Sequence, residues 1–126
     1  YAVFVVEQGV DVAIEWDEYE TVAEHVLLIH EGRPIGTARI RRVDDALKCE
    51  RIAVRKSARG AGWGERLMEV CEQIAQERGV DACVLHAQQR VVDFYRKQGY
   101  DVVSEPFEEA GIPHVEMRAE LTADGD

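Results

Sequence analysis

Residues 52–67 read Ile52-Ala53-Val54-Arg55-Lys56-Ser57-Ala58-Arg59-Gly60-Ala61-Gly62-Trp63-Gly64-Glu65-Arg66-Leu67. An apolar strand runs here into a glycine-rich turn, and the turn opens an amphipathic helix. Glycines at three alternate positions leave room for backbone N–H groups to converge. The helix start adds unpaired N–H donors and the positive end of the helix dipole. The pattern predicts a cradle for a pyrophosphate, surrounded by the positive charges of Arg55, Lys56 and Arg59.

Two other phosphate-binding motifs fit this stretch poorly. A P-loop needs a Gly-Lys-Ser/Thr ending that the chain lacks, so ATP or GTP hydrolysis is not expected. A Rossmann site is disfavoured because the glycines follow a series of hairpins, and because the spacing Gly60-Gly62-Gly64 is not G-x-G-x-x-G. From these residues alone, a purely structural role stays open, in which the glycines only allow the helix to pack closely on the strand.

The segments around the turn predict an α+β fold. Residues 22–30, 35–43 and 47–54 read as three strands joined by short turns, an antiparallel meander. Beyond the helix, which ends near Gly79, a buried strand at 82–85 and a helix at 89–98 follow, with Val91, Phe94 and Tyr95 facing inward. Strands at 100–103 and 115–121 close the chain, while the acidic residues 9–21 read as a surface loop. The order β-β-β-α-β-α-β-β implies a single-domain mixed, mostly antiparallel sheet with flanking helices.

Composition excludes several classes of protein. The 126 residues suffice for one domain, and a net charge of −10 argues against a general nucleic-acid binder. No apolar run is long enough for a membrane helix. Three distant cysteines and four scattered histidines predict neither a disulfide scaffold nor a metal site, and suit the cytoplasm. Residues 39–59 nevertheless hold eight basic and three acidic residues, a local excess that suggests a specific anionic ligand.

Several segments resemble one enzyme family. Arg59-Gly60-Ala61-Gly62-Trp63-Gly64 resembles the R/Q-x-x-G-x-G/A motif of the GNAT superfamily of acyl-CoA-dependent N-acetyltransferases. Phe94-Tyr95-Arg96-Lys97-Gln98-Gly99-Tyr100 resembles its F-Y-x-x-x-G-F/Y segment. Four further segments resemble the ElaA-like branch of this family: Val3-Phe4-Val5-Val6-Glu7-Gln8, Gly36-Thr37-Ala38-Arg39, Leu85-His86-Ala87-Gln88 and Gly111-Ile112-Pro113-His114. Family members have a first strand and most of a first helix before the Val-Phe-Val segment. The chain, residues 1–126, is therefore expected to be one GNAT domain that begins inside a truncated N-terminal helix.

The resemblance implies where a cosubstrate binds. In the family, acetyl-CoA lies where the strand before the glycine turn splays from the next parallel strand, here Glu50–Val54 and Ala82–Ala87. Backbone groups of the first strand would hold the pantetheine arm and polarise the thioester carbonyl, and those of the turn would hold the pyrophosphate. The implied cofactor-binding residues are Ile52, Ala53, Val54, Arg59, Gly60, Ala61, Gly62, Trp63, Gly64 and Glu65. No metal is implied.

The chemistry requires two proton movements. An amine with a pKa near 10 is mostly protonated at neutral pH and must lose a proton before it attacks, and the leaving thiolate benefits from a proton donor. Tyr95 matches the family position that supplies this donor. For the base, Glu50 lies on the strand leading to the turn, where some relatives carry a carboxylate, and His114, His86 and Glu7 are alternatives, as is a proton relay through water. The predicted catalytic residues are Tyr95, Glu50 and His114.

The predicted function is direct transfer of the acetyl group of acetyl-CoA to a primary amine of a small molecule or peptide. The alternative is a non-catalytic acyl-CoA-binding sensor or interaction module, followed by a structural protein with a vestigial cradle. Neither nucleic acid nor a membrane is an expected partner. Homodimers are frequent in the family, so a second copy of the chain is an expected partner.

Overall fold

The computed structural model describes residues 2–7, 10–16, 23–56, 60 and 62–121. Within these ranges nine strands form one sheet. They are β1 (Ala2–Glu7), β2 (Val10–Trp16), β3 (Ala23–His30), β4 (Arg33–Val43), β5 (Ala46–Val54), β6 (Ala82–Gln88), β7 (Asp101–Val102), β8 (Phe107–Glu109) and β9 (Ile112–Glu120). The helices are α1 (Trp63–Glu77) and α2 (Val92–Arg96), and a short 3₁₀ turn (Gln89–Val91) precedes α2.

The sheet is mixed and mostly antiparallel, as predicted. Its strand order is β1-β2-β3-β4-β5-β6-β9-β7, with β8 paired to β9. Only β5 and β6 run parallel among these strands, and α1 provides the crossover between them. The meander β3-β4-β5 is confirmed. Its first turn has positive φ at Glu31 (52°) and Gly32 (76°), the geometry of a two-residue hairpin that follows the twist of the strands.

The core lies between α1 and one face of the sheet. Helix α1 buries six residues and contacts β4, β5 and β6. Alternate residues of these strands, among them Ile40, Leu47, Cys49 and Leu85, are buried against it. Because successive strand residues point to opposite faces, the residues between them line the other face. That second face is polar and carries Arg39, Arg41, Lys48, Glu50, His86, Glu116 and Arg118.

The start of the chain differs from the prediction. Residues 2–7 form strand β1 rather than the end of a helix, and residues 10–16 form β2 rather than part of an acidic loop. The physical reason for β2 is that its apolar residues recur at every second position, at 10, 12, 14 and 16, which is the pattern of a strand. This strand pairs with β3 over its whole length. The remainder of the predicted loop, at 9 and 17–21, lies outside the described residues.

Two smaller differences concern the second half of the chain. The predicted loop between the last strands contains β8, which forms a hairpin with β9 through Ala110 and Gly111, both at positive φ. Phe94 is 36% exposed rather than inward-facing, whereas Tyr95 is buried. No helix among the described residues combines the length and apolarity needed to cross a membrane.

Candidate functional site

The two parallel strands part halfway along their length. Strands β5 and β6 pair from Ala46 opposite Ala82 to Cys49 opposite Leu85, and the pairing ends there. Beyond this point β5 stays on β4, while β6 stays on β9. A gap therefore opens between residues 50–54 and residues 86–88, within the region where the family resemblance placed the cosubstrate.

A β-bulge marks the same place. On β4, Thr37 pairs with Ala53 and Arg39 with Glu50, so Arg51 and Ile52 together oppose the single residue Ala38. Arg51 has a φ of 51°, which is uncommon for a residue other than glycine. A bulge takes one residue out of the regular ladder and bends its strand. The bulge thereby frees main-chain groups of β5 from the ladder beside the gap.

The gap leads into a cavity of about 570 Å³, called here the strand-gap cavity. Cys49 and Tyr95 line it from the core side of the sheet, and Lys48, Glu50 and His86 line it from the polar side. The cavity therefore passes between the strands from one face to the other. Its further lining residues are Arg39, Arg51, Ile52, Ala87, Gln88, Arg90, Val91, Glu109 and His114.

A second cavity of about 310 Å³ lies at the start of α1 and is called the glycine-turn cavity. Its lining residues are Val54, Gly60, Gly62, Trp63, Gly64, Glu65 and Phe94. Gly62 is the N-cap residue of α1 and has a φ of 82°. As a glycine it has no side chain that could accept a hydrogen bond from the first N–H groups of the helix. The first N–H groups of a helix have no acceptor within it, and the first helical bond here runs from the Arg66 N–H to the Gly62 carbonyl.

The described residues leave open space at this turn. A Cβ atom added at Gly60 or Gly62 would meet none of their atoms within 4 Å, and both glycines have positive φ. A Cβ at Gly64 would instead approach the Phe94 ring to 3.3 Å. Gly60 and Gly62 thus allow the left-handed backbone of the turn and keep the space beside it free of side chains. Gly64 allows α1 to lie close to α2.

The two cavities adjoin. Ile52 and Tyr95 line the strand-gap cavity, and their close neighbours Val54 and Phe94 line the glycine-turn cavity. Of the predicted cofactor-binding residues, all those described line one cavity or the other, except Ala53, which lies between them on β5. Arg59 and Ala61 lie outside the described residues.

Tyr95 is held in the core by aromatic neighbours. Its ring packs edge-on against Phe94 and Tyr100, with centroids 5.1 and 5.9 Å apart. Burial, with smaller contributions from the thiols of Cys49 and Cys71, raises the pKa of Tyr95 to about 12. The phenol therefore keeps its proton throughout the neutral range while it lines the strand-gap cavity.

Glu50 is surrounded by cations. Its Oε2 lies 2.7 Å from Arg39 Nη1, and its Oε1 lies 3.2 Å from Arg41 Nη2 and 3.5 Å from Lys48 Nζ. Burial raises the pKa of this carboxyl, but the three cations outweigh burial and leave the pKa below its usual value. An ionised carboxylate with a lowered pKa is a poor proton acceptor near neutral pH, which argues against the predicted role of Glu50 as the base.

His114 is buried, and one of its ring nitrogens is fixed. Nδ1 lies 2.7 Å from the carbonyl oxygen of Ile112. A carbonyl only accepts, so we assign the proton to Nδ1, and neutral His114 then carries its lone pair on Nε2. Nε2 lies 3.8 Å from Glu109 Oε2, and both residues line the strand-gap cavity.

Glu109 also holds His86. Its Oε1 lies 2.9 Å from His86 Nδ1, and this hydrogen bond is the main reason that the pKa of Glu109 is lowered. The ring of Phe107 packs edge-on against His86 and stacks on His114. One ionised carboxylate thus lies between two imidazoles at the polar end of the cavity.

Sequence reasoning missed Glu109 because no motif contains it. The available signal was the hairpin, since a strand at 107–109 folds back onto 112–114 and places Glu109 and His114 diagonally on one face of the hairpin. Glu7, another candidate base, lies on β1, which three strands separate from β5. Among the described residues no cluster of three or more His, Cys, Asp or Glu could hold a metal ion.

Comparison with known proteins gives consistent likenesses. A family model described as an acetyltransferase (GNAT) domain matches residues 4–121. YjcF of Bacillus subtilis (strain 168), named an uncharacterized N-acetyltransferase, is 44% identical over 116 residues, covering 91% of this chain and 83% of that protein. Protein ElaA of Escherichia coli (strain K12) is 34% identical over 125 residues, covering 95% and 82%.

The fold is also similar to those of solved structures. The crystal structure of Escherichia coli ElaA matches with a TM-score of 0.69 at 29% identity, covering 78% of this chain and 68% of that one. A GNAT family acetyltransferase from Elizabethkingia anophelis, solved with acetyl-CoA bound, matches with a TM-score of 0.71 at 21% identity, covering 83% and 80%.

Proposed function

The chain belongs to the GNAT acetyltransferase family, with a likeness to its ElaA-like branch, and from that premise we propose that it transfers the acetyl group of acetyl-CoA to a primary amine. The amine belongs to a small molecule or a peptide. One observation carries the proposal: an open glycine turn at a helix start adjoins a cavity that passes between two parted strands. A long cosubstrate could place its diphosphate in the glycine-turn cavity and its thioester in the strand-gap cavity.

The described residues suit the diphosphate. Main-chain N–H groups at the start of α1, at Trp63, Gly64 and Glu65, would hold it together with the turn residues 59–62. Main-chain groups of Ile52, Ala53 and Val54 would hold the pantetheine arm and polarise the thioester carbonyl. When bound, acetyl-CoA supplies an activated acetyl group. The chain's own contribution is to orient that group and to move two protons.

We assign the first proton movement to His114. With Nδ1 donating to the Ile112 carbonyl, Nε2 accepts the proton that the attacking amine must lose. The carboxylate of Glu109 would stabilise the imidazolium that results. The amine nitrogen then forms a bond to the acetyl carbon, and the bond between that carbon and sulfur breaks.

We assign the second proton movement to Tyr95. The phenol is protonated and lines the strand-gap cavity, so it can donate to the sulfur as negative charge develops there. The acylated nitrogen then releases its surplus proton through water to the phenolate, which restores Tyr95. Glu50 receives a different role from the one predicted. It stays ionised and positions Arg39, Arg41 and Lys48 on the polar face of the sheet beside the cavity.

We also propose a cytoplasmic location and a single GNAT domain. The family model spans residues 4–121 with no division. Cys49, Cys71 and Cys83 are all free thiols in the core, which suits a reducing compartment.

Two measurements separate the enzyme from the non-catalytic sensor. Calorimetry with acetyl-CoA tests the cradle, and release of free CoA thiol in the presence of amino acids, polyamines and peptides tests turnover. An enzyme gives both signals. Binding without thiol release from any amine would favour the sensor, and a folded protein that ignores acetyl-CoA at about 1 mM would overturn both readings.

A further inference from the structure

We propose that the acceptor amine carries a carboxylate close to its amino group and that Lys48 binds this carboxylate. The inference rests on the proposed acetyl transfer and names the class of acceptor. It follows from the charges on the polar wall of the strand-gap cavity, from the position of Lys48 among them, and from the presence of Lys48 and the proposed base in the lining of the same cavity.

The cavity is positive although the protein is strongly negative. Four cationic side chains and two carboxylates line it, in a chain whose net charge is −10. Both carboxylates are already engaged: Glu50 lies against three cations, and Glu109 accepts from His86. The described lining therefore has an excess of positive charge to offer an anion. It has no unengaged carboxylate for the second cation of a polyamine.

Among the four lining cations we assign Lys48 to that anion. Arg90 donates to Gln88 Oε1 at 3.0 Å, and Arg51 lies at the β-bulge with an exposed side chain. Arg39 lies close to Glu50, at 2.7 Å, and its side chain is 7% exposed. Arg41 also contacts Glu50 but does not line the strand-gap cavity. Lys48 does line it, is 19% exposed, and makes the longest of the three contacts, at 3.5 Å. An ammonium group has three N–H donors, so Lys48 can keep its 3.5 Å contact with Glu50 and still donate to an anion.

Lys48 shares the strand-gap cavity with the proposed base. Lys48, Glu109 and His114 all line it, and Glu109 lies 3.8 Å from His114 Nε2. The charge of Lys48 also contributes to the lowered pKa of Glu109. A molecule that presents its amine to His114 and its carboxylate to Lys48 would therefore occupy this one cavity.

Matched pairs of amines test the proposal. L-Alanine with L-alaninamide, and β-alanine with β-alaninamide, differ only in the carboxylate, and putrescine represents the dicationic alternative. We expect kcat/KM, measured by thiol release, to be at least about tenfold higher for each acid than for its amide, the size of one charge-assisted hydrogen bond. The amides have the less basic amines, so amine basicity alone favours the opposite order.

A pair of lysine variants assigns the effect. Lys48→Gln should lower kcat/KM about tenfold more for the acids than for the amides, while Glu50 keeps both of its arginines. Lys97→Gln is the matched control, because Lys97 is exposed at the end of α2 and lines neither cavity. Lys48→Arg should restore part of the preference.

The outcomes are distinct. Equal or faster acetylation of the amides or of putrescine would overturn the inference and leave the proposed function standing. If no amine is turned over, calorimetry of the CoA-loaded protein with N-acetyl-L-alanine and N-acetyl-L-alaninamide decides, and equal affinities would overturn it. Failure of acetyl-CoA itself to bind would overturn the proposed function, and this inference with it.

Discussion

Tyr95 shows how packing sets the chemistry of one side chain. Its ring is fixed by Phe94 and Tyr100, and burial raises the pKa of its phenol to about 12. Tyr95→Phe keeps the packing and removes only the phenolic hydroxyl, the proposed proton donor. We expect kcat to fall about 100-fold, with the Kd for acetyl-CoA within about twofold of the wild type. Steady-state kinetics and calorimetry measure the two quantities.

Tyr100→Phe provides the control for this change. Tyr100 is also buried, but its hydroxyl donates to Glu72 Oε2 at 2.9 Å, and it lines neither cavity. Its loss should lower the free energy of unfolding by about 1 kcal/mol and leave kcat unchanged. If both variants lost the same activity, the phenol of Tyr95 would have no specific role.

Glu50 gives a pH-dependent prediction. Its pKa is lower in the folded protein than its usual value of 4.5, so its ion pairs stabilise the fold fully above that pH. This stabilisation is lost as the pH falls through the lower, folded-state pKa. Glu50→Gln should therefore reduce the free energy of unfolding by about 1–2 kcal/mol at pH 7, and the difference should shrink as the pH falls from about 5 to about 3.

Urea unfolding at each pH measures this difference. Asp45→Asn is a suitable control, because Asp45 forms its ion pair with Arg118 at the exposed surface, where such pairs contribute little. A difference for Glu50→Gln that did not change with pH would show that lost packing, rather than lost charge, weakens the variant.

Residue roles were the least predictable part of the molecule. The sequence placed Glu50 on the correct strand, but its three cations come from two strands, and a single sequence does not show their geometry. Glu109 has no motif, so only the hairpin brings it to His86 and His114. The aromatic motif predicted a helix, and Tyr95 lies buried on α2 in the lining of the strand-gap cavity, while its catalytic role stays a prediction.

At the scale of elements, the two ends of α1 allow a matched experiment. Gly62 and Gly79 both have positive φ, 82° and 72°, and a Cβ atom added at either position would meet no atom of the described part of the chain within 4 Å. Of the two, only Gly62 lines the glycine-turn cavity. Gly62→Leu and Gly79→Leu should each cost about 1–2 kcal/mol of stability, because both place a side chain on left-handed backbone.

Binding should then separate the two glycine variants. We expect Gly62→Leu to lose measurable affinity for acetyl-CoA, because its side chain fills the space proposed for the diphosphate. Gly79→Leu should bind as the wild type does. Calorimetry on folded protein decides, and retained affinity in the Gly62 variant would contradict the proposed cradle.

Elements were predictable where the apolar pattern is dense. The meander and α1 carry strong periodicity, and the structure places them as expected. Strand β2 was missed because its acidic residues resemble those of a surface loop, although they alternate with apolar ones. The β8–β9 hairpin was missed because its turn residues are Ala110 and Gly111 rather than a typical Asn-Gly pair.

The whole molecule carries a charge of −10, and this has a measurable consequence. Self-repulsion opposes the compact state, and added salt screens it. We expect the Tm to rise by about 4 °C between low salt and about 1 M KCl, equivalent to roughly 1 kcal/mol. Calorimetric scans measure it. A falling Tm would mean that the ion pairs of the polar sheet face outweigh the net repulsion.

The parting of β5 and β6 has a consequence for how related proteins diverge in evolution. The gap is bordered by main chain, which is the same whatever the sequence, whereas its far end is walled by the side chains of Lys48, Glu50, His86 and His114. Substitutions of these side chains can therefore change which amine binds without altering the main chain at the gap. A scaffold of this kind lets paralogues keep one donor while they diverge toward different metabolites, and the traces of that divergence should concentrate in the few side chains beyond the parting.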